Sequence, residues 1–235
     1  MLRIEHLTKT YSGKTAVSDL SLHVKPGEIF GFIGHNGAGK TTTIRAVTGV
    51  LDFDGGDIYI GGVSIKKDPV KCKSMLAYIP DNPDIYENLT GIQYLTFVCD
   101  VYGVSGTRRK ELISKYAGIF EIENVLGDLI SSYSHGMRQK LVVTSALIHS
   151  PKLMILDEPF VGLDPSAAHT LKLIMRELCD NGGSIFFSTH VLDVAEKLCD
   201  RIAIIKSGRL IAAGKTDEIR GDKSLEDVFL EVTNE

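Results

Sequence analysis

The chain has 235 residues, 43% of them hydrophobic, and 26 Lys and Arg against 30 Asp and Glu leave a formal charge of −4. That length holds one large domain or a domain with a subdomain, and the hydrophobic content supplies a packed core. The near-balanced charge, with no basic run, argues against a nucleic-acid or anionic-membrane surface, and Cys72, Cys99, Cys179 and Cys199, far apart and without a C-x-x-C pair, read as reduced thiols of a cytosolic protein, not as a zinc site or disulfide frame.

In chain order, Met1–His6 alternates like a strand and lacks a basic-then-apolar leader, so no secretory signal is expected. No run approaches the roughly 18 apolar residues of a membrane span, so a role at a membrane would need a second, membrane-spanning chain. Leu20–Val24 alternates, Pro26-Gly27 turns, and Glu28–Ile33 reads as a buried strand. That strand enters Gly34-His35-Asn36-Gly37-Ala38-Gly39-Lys40-Thr41-Thr42, which matches the phosphate-loop pattern G-x-x-x-x-G-K-[ST]. Each residue type has a physical task. The glycines let several backbone N–H groups point at one anion. Lys40 brings a mobile positive charge to the β- and γ-phosphates, and Thr41 offers a hydroxyl to Mg²⁺. Thr43–Thr48 predicts a helix leaving the loop, its positive end toward the phosphates and Gly49 as its stop. The bland reading, a glycine-rich turn with an incidental Lys-Thr, fits the strand–loop–helix context poorly.

Asp54–Asp57 is expected to be a turn, followed by a hairpin through Ile58–Ile60 and Gly61-Gly62. From Pro83 to Ser150 apolar residues recur at helical spacing (Ile92, Leu95, Val98; Leu112, Tyr116, Ile119), which predicts a helical subdomain over about 83–150. Strand–helix alternation returns with Leu153–Leu156, a helix near Ala167–Cys179, a strand at Ser184–Ser188, a helix at Leu192–Cys199 and a strand at Arg201–Ile205. Such alternation implies a mostly parallel sheet flanked by helices. The fold expected is α/β: a phosphate-loop core with a mostly parallel mixed sheet, an antiparallel β subdomain at the N-terminal end, the helical subdomain, and a short extension over about 215–235.

Leu153-Met154-Ile155-Leu156 ends in Asp157-Glu158. A buried strand ending in two carboxylates sets them at the sheet edge where open α/β sheets bind ligands. Asp157 suits a Mg²⁺ shell, and Glu158 suits accepting a proton from attacking water. A solvent-facing acidic pair is the alternative, and the nearby phosphate loop weakens it.

Tyr133-Ser134-His135-Gly136-Met137-Arg138-Gln139 heads an apolar helix, and Gly162-Leu163-Asp164-Pro165 and Ser188-Thr189-His190 follow the acidic pair. With the phosphate loop, these five motifs stand in the order found in nucleotide-binding subunits of ATP-binding cassette (ABC) transporters, which the chain resembles from end to end. It looks most like ATPases of bacterial drug and antibiotic-resistance exporters, whose usual ending is similar to Ser224–Leu230 here. The resemblance implies one ABC ATPase domain that binds ATP and Mg²⁺ and hydrolyses ATP. It implies a homodimer or heterodimer sandwiching ATP, a separate membrane-spanning subunit, no nucleic acid, and a peripheral position on the cytoplasmic face of the cell membrane.

It also assigns residues. Tyr11 would stack on adenine, with a core tyrosine as the alternative. Ser134 and Gly136 would complete the ATP site of the opposite subunit; without the family, Ser134 would be only a helix cap. Asp164 would link the two sites, against the plain reading of a turn Asp before Pro165. His190 would hold the γ-phosphate and the water. Two departures stand out. Tyr133, His135 and Met137 replace three residues of the family's Leu-Ser-Gly-Gly-Gln, and Asp81 stands where the family commonly has a Gln that contacts Mg²⁺ and the membrane partner. Asp81 can still ligate Mg²⁺ directly or through water. Ile85, Tyr86 and Leu89, in a segment expected to be helical, would form a groove for a helix of the membrane subunit. A soluble ABC protein of translation or DNA repair fits less well, since the chain has one cassette, no heptads and no basic patch. A nucleotide switch without turnover is disfavoured by Glu158 and His190.

Overall fold

The computed structural model describes residues 1–82 and 84–234. Strands β1 (Leu2–Tyr11) and β2 (Lys14–Val24) form a hairpin about Ser12-Gly13. β3 (Ile29–Ile33) precedes the phosphate loop and helix α1 (Lys40–Val47). β4 (Gly55–Ile60) pairs antiparallel with the other edge of β1, and β5 (Val63–Ser64) closes on β4 through Gly61-Gly62. These strands make an antiparallel sheet in the order β2-β1-β4-β5. The expected turn at Asp54–Asp57 is therefore largely strand. Glycines there read as a turn, but they pair with β1 across a bulge between Glu5 and Thr8 that absorbs the bend.

Helix α2 (Pro69–Met75), capped by Asp68, leads into β6 (Leu76–Ile79). Pro83, the expected first residue of the helical subdomain, lies outside the described residues. Asp84–Leu89 is not helical. Helix α3 (Gly91–Val101) begins only after Thr90, whose hydroxyl accepts from Gln93 N–H while the Gln93 side chain accepts from Thr90 N–H. That reciprocal cap fixes the start and corrects the expectation of helix just after Pro83. Ile85 and Leu89 are half-buried against the core, whereas Tyr86 is exposed. Helices α4 (Gly106–Ile119) and α5 (His135–Ile148) follow.

Then come β7 (Leu153–Asp157), α6 (Pro165–Asp180), β8 (Ser184–Thr189), α7 (Leu192–Leu198) and β9 (Arg201–Lys206). β10 (Arg209–Lys215), α8 (Thr216–Arg220) and α9 (Leu225–Asn234) complete the chain. The second sheet runs β10-β9-β3-β8-β7-β6, parallel except for its edge strand β10. β3, β7 and β8 are buried at every position, as strands covered on both faces must be. Their side chains alternate between two cores. Ile29, Ile33, Met154, Leu156, Ile185 and Phe187 pack against α3 to α7, while Phe30, Phe32, Leu153, Ile155 and Phe186 pack against α1 and the antiparallel sheet. Buried aromatic and aliphatic side chains of this kind contribute about 1.5–3 kcal/mol each. The parallel strands thereby become a rigid plate, and three of them, β3, β7 and β8, end side by side at one edge.

Candidate active site

The loop between β3 and α1 curls around Lys40. Its ammonium donates to the Gly34 carbonyl at 2.7 Å and to the His35 carbonyl at 3.4 Å, so the side chain folds back over the loop. Gly39 has φ +107°, and a Cβ there would lie 2.6 Å from the Ala16 carbonyl oxygen, so only glycine fits. The loop is also held from the side: Gly208 N–H donates to Ala38 O, and Ser18 N–H to Gly208 O, each at 2.8 Å. A cleft of about 220 Å³ opens here, lined by His35, Gly37, Lys40, Thr41, Asp81 and Glu158 among others. Asn36, Gly39 and Thr42 also line it, while Gly34 and Ala38 are buried behind it.

β7 delivers the two carboxylates. Asp157 is buried and accepts from the Ser188 hydroxyl on neighbouring β8. Glu158 leaves the strand with φ +49°, a left-handed conformation that is uncommon for a side chain of this size. Its N–H donates to Ser188 Oγ at 3.1 Å, so one serine fixes both acidic residues. The turn sends the Glu158 carboxylate into the cleft. Oε1 faces Lys40 Nζ at 3.4 Å, and Oε2 faces His190 Nδ1 at 3.0 Å and accepts from His190 N–H at 3.3 Å. Oε1 is buried and makes no hydrogen bond. A buried carboxylate oxygen held next to a lysine but lacking a donor is equipped to take a hydrogen bond, or a proton, from a molecule entering the cleft.

Burial, followed by the charges of Asp157 and Glu158, raises the Asp81 carboxyl above its usual value. Asp81 and Glu158 line the cleft together with Thr41, Asp157 is buried at the end of the neighbouring strand, and all offer hard oxygen donors. This donor set and its surplus negative charge fit Mg²⁺. Among the described residues no cluster of three or more His, Cys, Asp or Glu is arranged as a metal site by itself.

The remaining expected residues lie elsewhere. Ser134 caps α5, its hydroxyl accepting from Met137 N–H at 3.2 Å, and it stays exposed. Asp164 caps α6 by accepting from Ala167 N–H at 2.8 Å and pairs with Lys140 Nζ at 2.9 Å. The Ala167 hydrogen bond, then that with Lys140, holds its carboxyl below the usual range. Gly136 sits against the Gly162 carbonyl, and the His135 ring packs over Gly162 where a Cβ would collide with it. α5 is thereby strapped to the segment running from Glu158 to Asp164. Tyr11 stands at the end of β1, 45% exposed, with Lys9 Nζ 5.4 Å from its ring centre, so it is not a core tyrosine. Neither Tyr11 nor Ser134, Gly136 or Asp164 lines the cleft. The chain brings together Lys40, Thr41, Asp81, Asp157, Glu158 and His190, and leaves Ser134, Gly136 and Tyr11 facing outward.

Sequence reasoning missed four supporting residues. Ser188 was visible only as part of Ser-Thr-His, and its double contact depends on parallel pairing of β7 with β8. Ala16 and Gly208 reach the loop from β2 and the β9–β10 turn, and no spacing pattern announces them. Lys140 stands six residues after Ser134, on the helical turn that meets Asp164.

Comparison with known proteins agrees with this geometry. A family model described as ABC transporter matches residues 17–161. The chain belongs to the ABC transporter family. It is 36% identical over 240 residues to the ABC-type transporter ATP-binding protein EcsA of Bacillus subtilis, covering 100% of this chain and 97% of that one. It is 36% identical over 214 residues to the daunorubicin/doxorubicin resistance ATP-binding protein DrrA of Streptomyces peucetius, covering 91% of this chain and 65% of the relative. A solved ATP-binding subunit of an ABC transporter superposes with TM-score 0.95 at 34% identity, over 99% of each chain. A dimeric ATP-binding cassette in a post-hydrolysis state bound to ADP and Pi shares the fold, with TM-score 0.85 at 20% identity over 92% of this chain and 99% of that one. The chain is thus an ATP-binding subunit of an ABC transporter and an ATPase. Subunits of this family pair with one another and work with membrane subunits. No helix among the described residues is long and apolar enough to cross a membrane.

Proposed function

We propose that ATP hydrolysis takes place in the cleft around Lys40 and Glu158. Backbone N–H groups of Gly37 to Thr41 and the Lys40 ammonium hold the β- and γ-phosphates. Thr41, Asp157 and Asp81 take part in holding Mg²⁺, which supplies charge neutralisation on the phosphate oxygens. Glu158 accepts the proton of the attacking water. His190, already against Glu158 Oε2, orients that carboxylate and meets the γ-phosphate. Tyr11 stacks on adenine. Ser134 and Gly136, at the positive end of α5, close over the ATP of a second subunit, homologous or identical, and Asp164 carries the state of one site to the other. The observation that carries this reading is the placement of Glu158, pinned between Lys40 and His190 with one buried oxygen free of hydrogen bonds.

The work is delivered to a separate membrane-spanning subunit from the cytoplasmic face. A groove of about 270 Å³ is lined by Tyr78, Pro80, Asp84, Ile85, Tyr102 and His149, among others, with Pro80 next in sequence to Asp81. Beside it α3 exposes Phe97 and Val101, and Tyr86 packs edge-on against Phe97 with ring centres 6.0 Å apart. Unpartnered apolar side chains next to an acidic rim suit a helix of the membrane subunit. Relatives named for linearmycin and daunorubicin/doxorubicin resistance support an exporter of antibiotic-like compounds.

Glu158→Gln tests the reading. The substitution keeps shape and most contacts while removing the base, so turnover falls by about 10²-fold or more while ATP affinity stays. An ATP-bound dimer accumulates, visible by size-exclusion chromatography. Undiminished steady-state phosphate release would refute the role of Glu158.

A further inference from the structure

The C-terminal helix reaches the phosphate loop from outside the cleft. Leu225 of α9 is wholly buried and Phe229 is 5% exposed, so the helix is docked by both turns. The Phe229 ring meets the ring of His35 edge-on, with centres 4.8 Å apart and planes at 63°. His35 is the second residue of the phosphate loop, and its carbonyl is one of the two that Lys40 bonds. The same helix is tied to the segment carrying His190. Leu225 N–H donates to Glu196 Oε2 at 2.8 Å, and Arg220 pairs with Glu196 Oε1 at 3.4 Å. Glu196 lies on α7, which starts two residues after His190. A cleft of about 290 Å³ at this seam is lined by His35, Asn36, His190, Leu192, Glu226 and Phe229, among others. α9 therefore touches both sides of the hydrolytic machinery, the loop that holds phosphate and the strand end that presents His190.

The loop needs such a contact. Gly37 and Gly39 both have positive φ, and His35, Asn36 and Gly37 are exposed. A glycine-rich exposed loop has a large conformational freedom to lose when it closes on an anion. Any contact that holds it in the closed curve beforehand lowers that cost. We propose that Phe229 is a positioning residue of the ATP site: its ring holds His35, and with it the first half of the phosphate loop, in the phosphate-binding conformation. α9 is then a working part of the ATPase and not an appendage. The proposal rests on the assignment of this loop as the ATP site.

A double-mutant cycle tests it. Affinity for a fluorescent ATP analogue and steady-state ATPase kinetics are measured on the full chain, on Phe229→Leu, on His35→Ala and on both together. Leu keeps an apolar side chain in the α9 seat and removes the ring, so the fold survives. An edge-on aromatic pair is worth about 2- to 12-fold in an equilibrium constant. The expected result is a loss of nucleotide affinity in that range for Phe229→Leu, with a higher KM, little change in kcat and only a small fall in the melting temperature without nucleotide. Phe229→Tyr restores affinity. In the His35→Ala background, Phe229→Leu has no further effect, since the contact it removes is already gone. Additive losses, or unchanged affinity in Phe229→Leu, overturn the proposal. Lys40→Ala, run alongside, separates the two levels: retained affinity there would remove the assignment of the loop itself, whereas failure of the cycle removes only the role of Phe229.

Discussion

Two polar regions of this subunit differ in how complete they are. Around Lys40, Glu158 and His190, polar groups from the start of α1 and from just beyond the ends of β7 and β8 find one another within 3.4 Å in a single chain. At the head of α5 and the tip of the β1–β2 hairpin, Ser134, Gly136 and Tyr11 find only local partners: a cap to Met137, a backbone contact with Gly162, and Lys9 beside the Tyr11 ring. The first region has its chemistry assembled in one subunit, and the second has the form of half a site. A substitution in the first should therefore register in the isolated chain, and one in the second only when another molecule is present.

Lys40→Ala is the sharpest way to break the first region. It removes the proposed countercharge to the phosphates, the donor to the buried Gly34 carbonyl and the partner of Glu158 Oε1 together. Loss of a preorganised group facing developing charge costs about 10²–10³-fold in turnover. Leaving a buried carbonyl without its donor costs a further ~1–3 kcal/mol of stability. ATPase activity should fall to background with nucleotide affinity, and the melting temperature of the nucleotide-free protein should fall as well. Unchanged affinity in a fluorescence titration would show that phosphate binds elsewhere.

The same contrast explains what could be read from the sequence. The phosphate loop, Asp157-Glu158 and the buried strands were legible because each is a contiguous pattern whose spacing is set by local geometry. The Ser134 cap was legible for the same reason, whereas Asp164, read as a turn residue before Pro165, caps α6. The supports were not. Ser188 clamps two acidic residues only because β7 and β8 are paired in register, and Ala16, Gly208 and Phe229 reach the loop from distant segments. The left-handed Glu158 gave no signal, since nothing in its residue type announces positive φ. The Asp54–Asp57 region misled because two glycines suggest a turn, whereas strand pairing with a bulged β1 overrides that local preference. The segment after Pro83 misled because its apolar spacing continues that of α3, while the Thr90–Gln93 cap fixes the helix start at Gly91.

Ser134→Arg addresses the second region. The hydroxyl is exposed and, among the described residues, bonds only to Met137 N–H, so the isolated chain should lose at most about 0.5–2 kcal/mol of stability. ATP binding by the monomer should be nearly unchanged. A guanidinium where a second subunit must approach should block ATP-driven dimerisation. In the Glu158→Gln background, which on the proposed mechanism accumulates dimers, the added Ser134→Arg should return the elution profile to monomer. A persistent ATP-dependent dimer of that double variant would show that α5 does not meet the opposite site.

The smallest effect on the isolated subunit is expected at Tyr86, where the comparison extends to a partner of another kind. The side chain is 57% exposed, and its aromatic neighbour Phe97 is itself 47% exposed. Ile85 and Leu89, on either side, are packed into the core, so the local backbone has anchors that do not depend on Tyr86. An exposed substitution of this sort changes stability by about 0.5 kcal/mol or little more. Tyr86→Ala should therefore leave the melting temperature and basal ATPase close to wild type. At an interface the balance reverses, because a buried aromatic anchor commonly accounts for ~2 kcal/mol or more of binding, or about 30-fold in affinity. Pull-down of the membrane subunit by tagged Tyr86→Ala should then fall sharply, and ATPase stimulation by that subunit should fall with it. Asp81→Ala makes the contrasting control, since Asp81 lines the proposed nucleotide cleft and follows Pro80, which lines the groove. It should lower both basal turnover and partner binding. If Tyr86→Ala binds the membrane subunit as wild type does, the docking surface lies off this face; if it unfolds the chain, Tyr86 belongs to the core of the helical region and the exposed α3 face has another use.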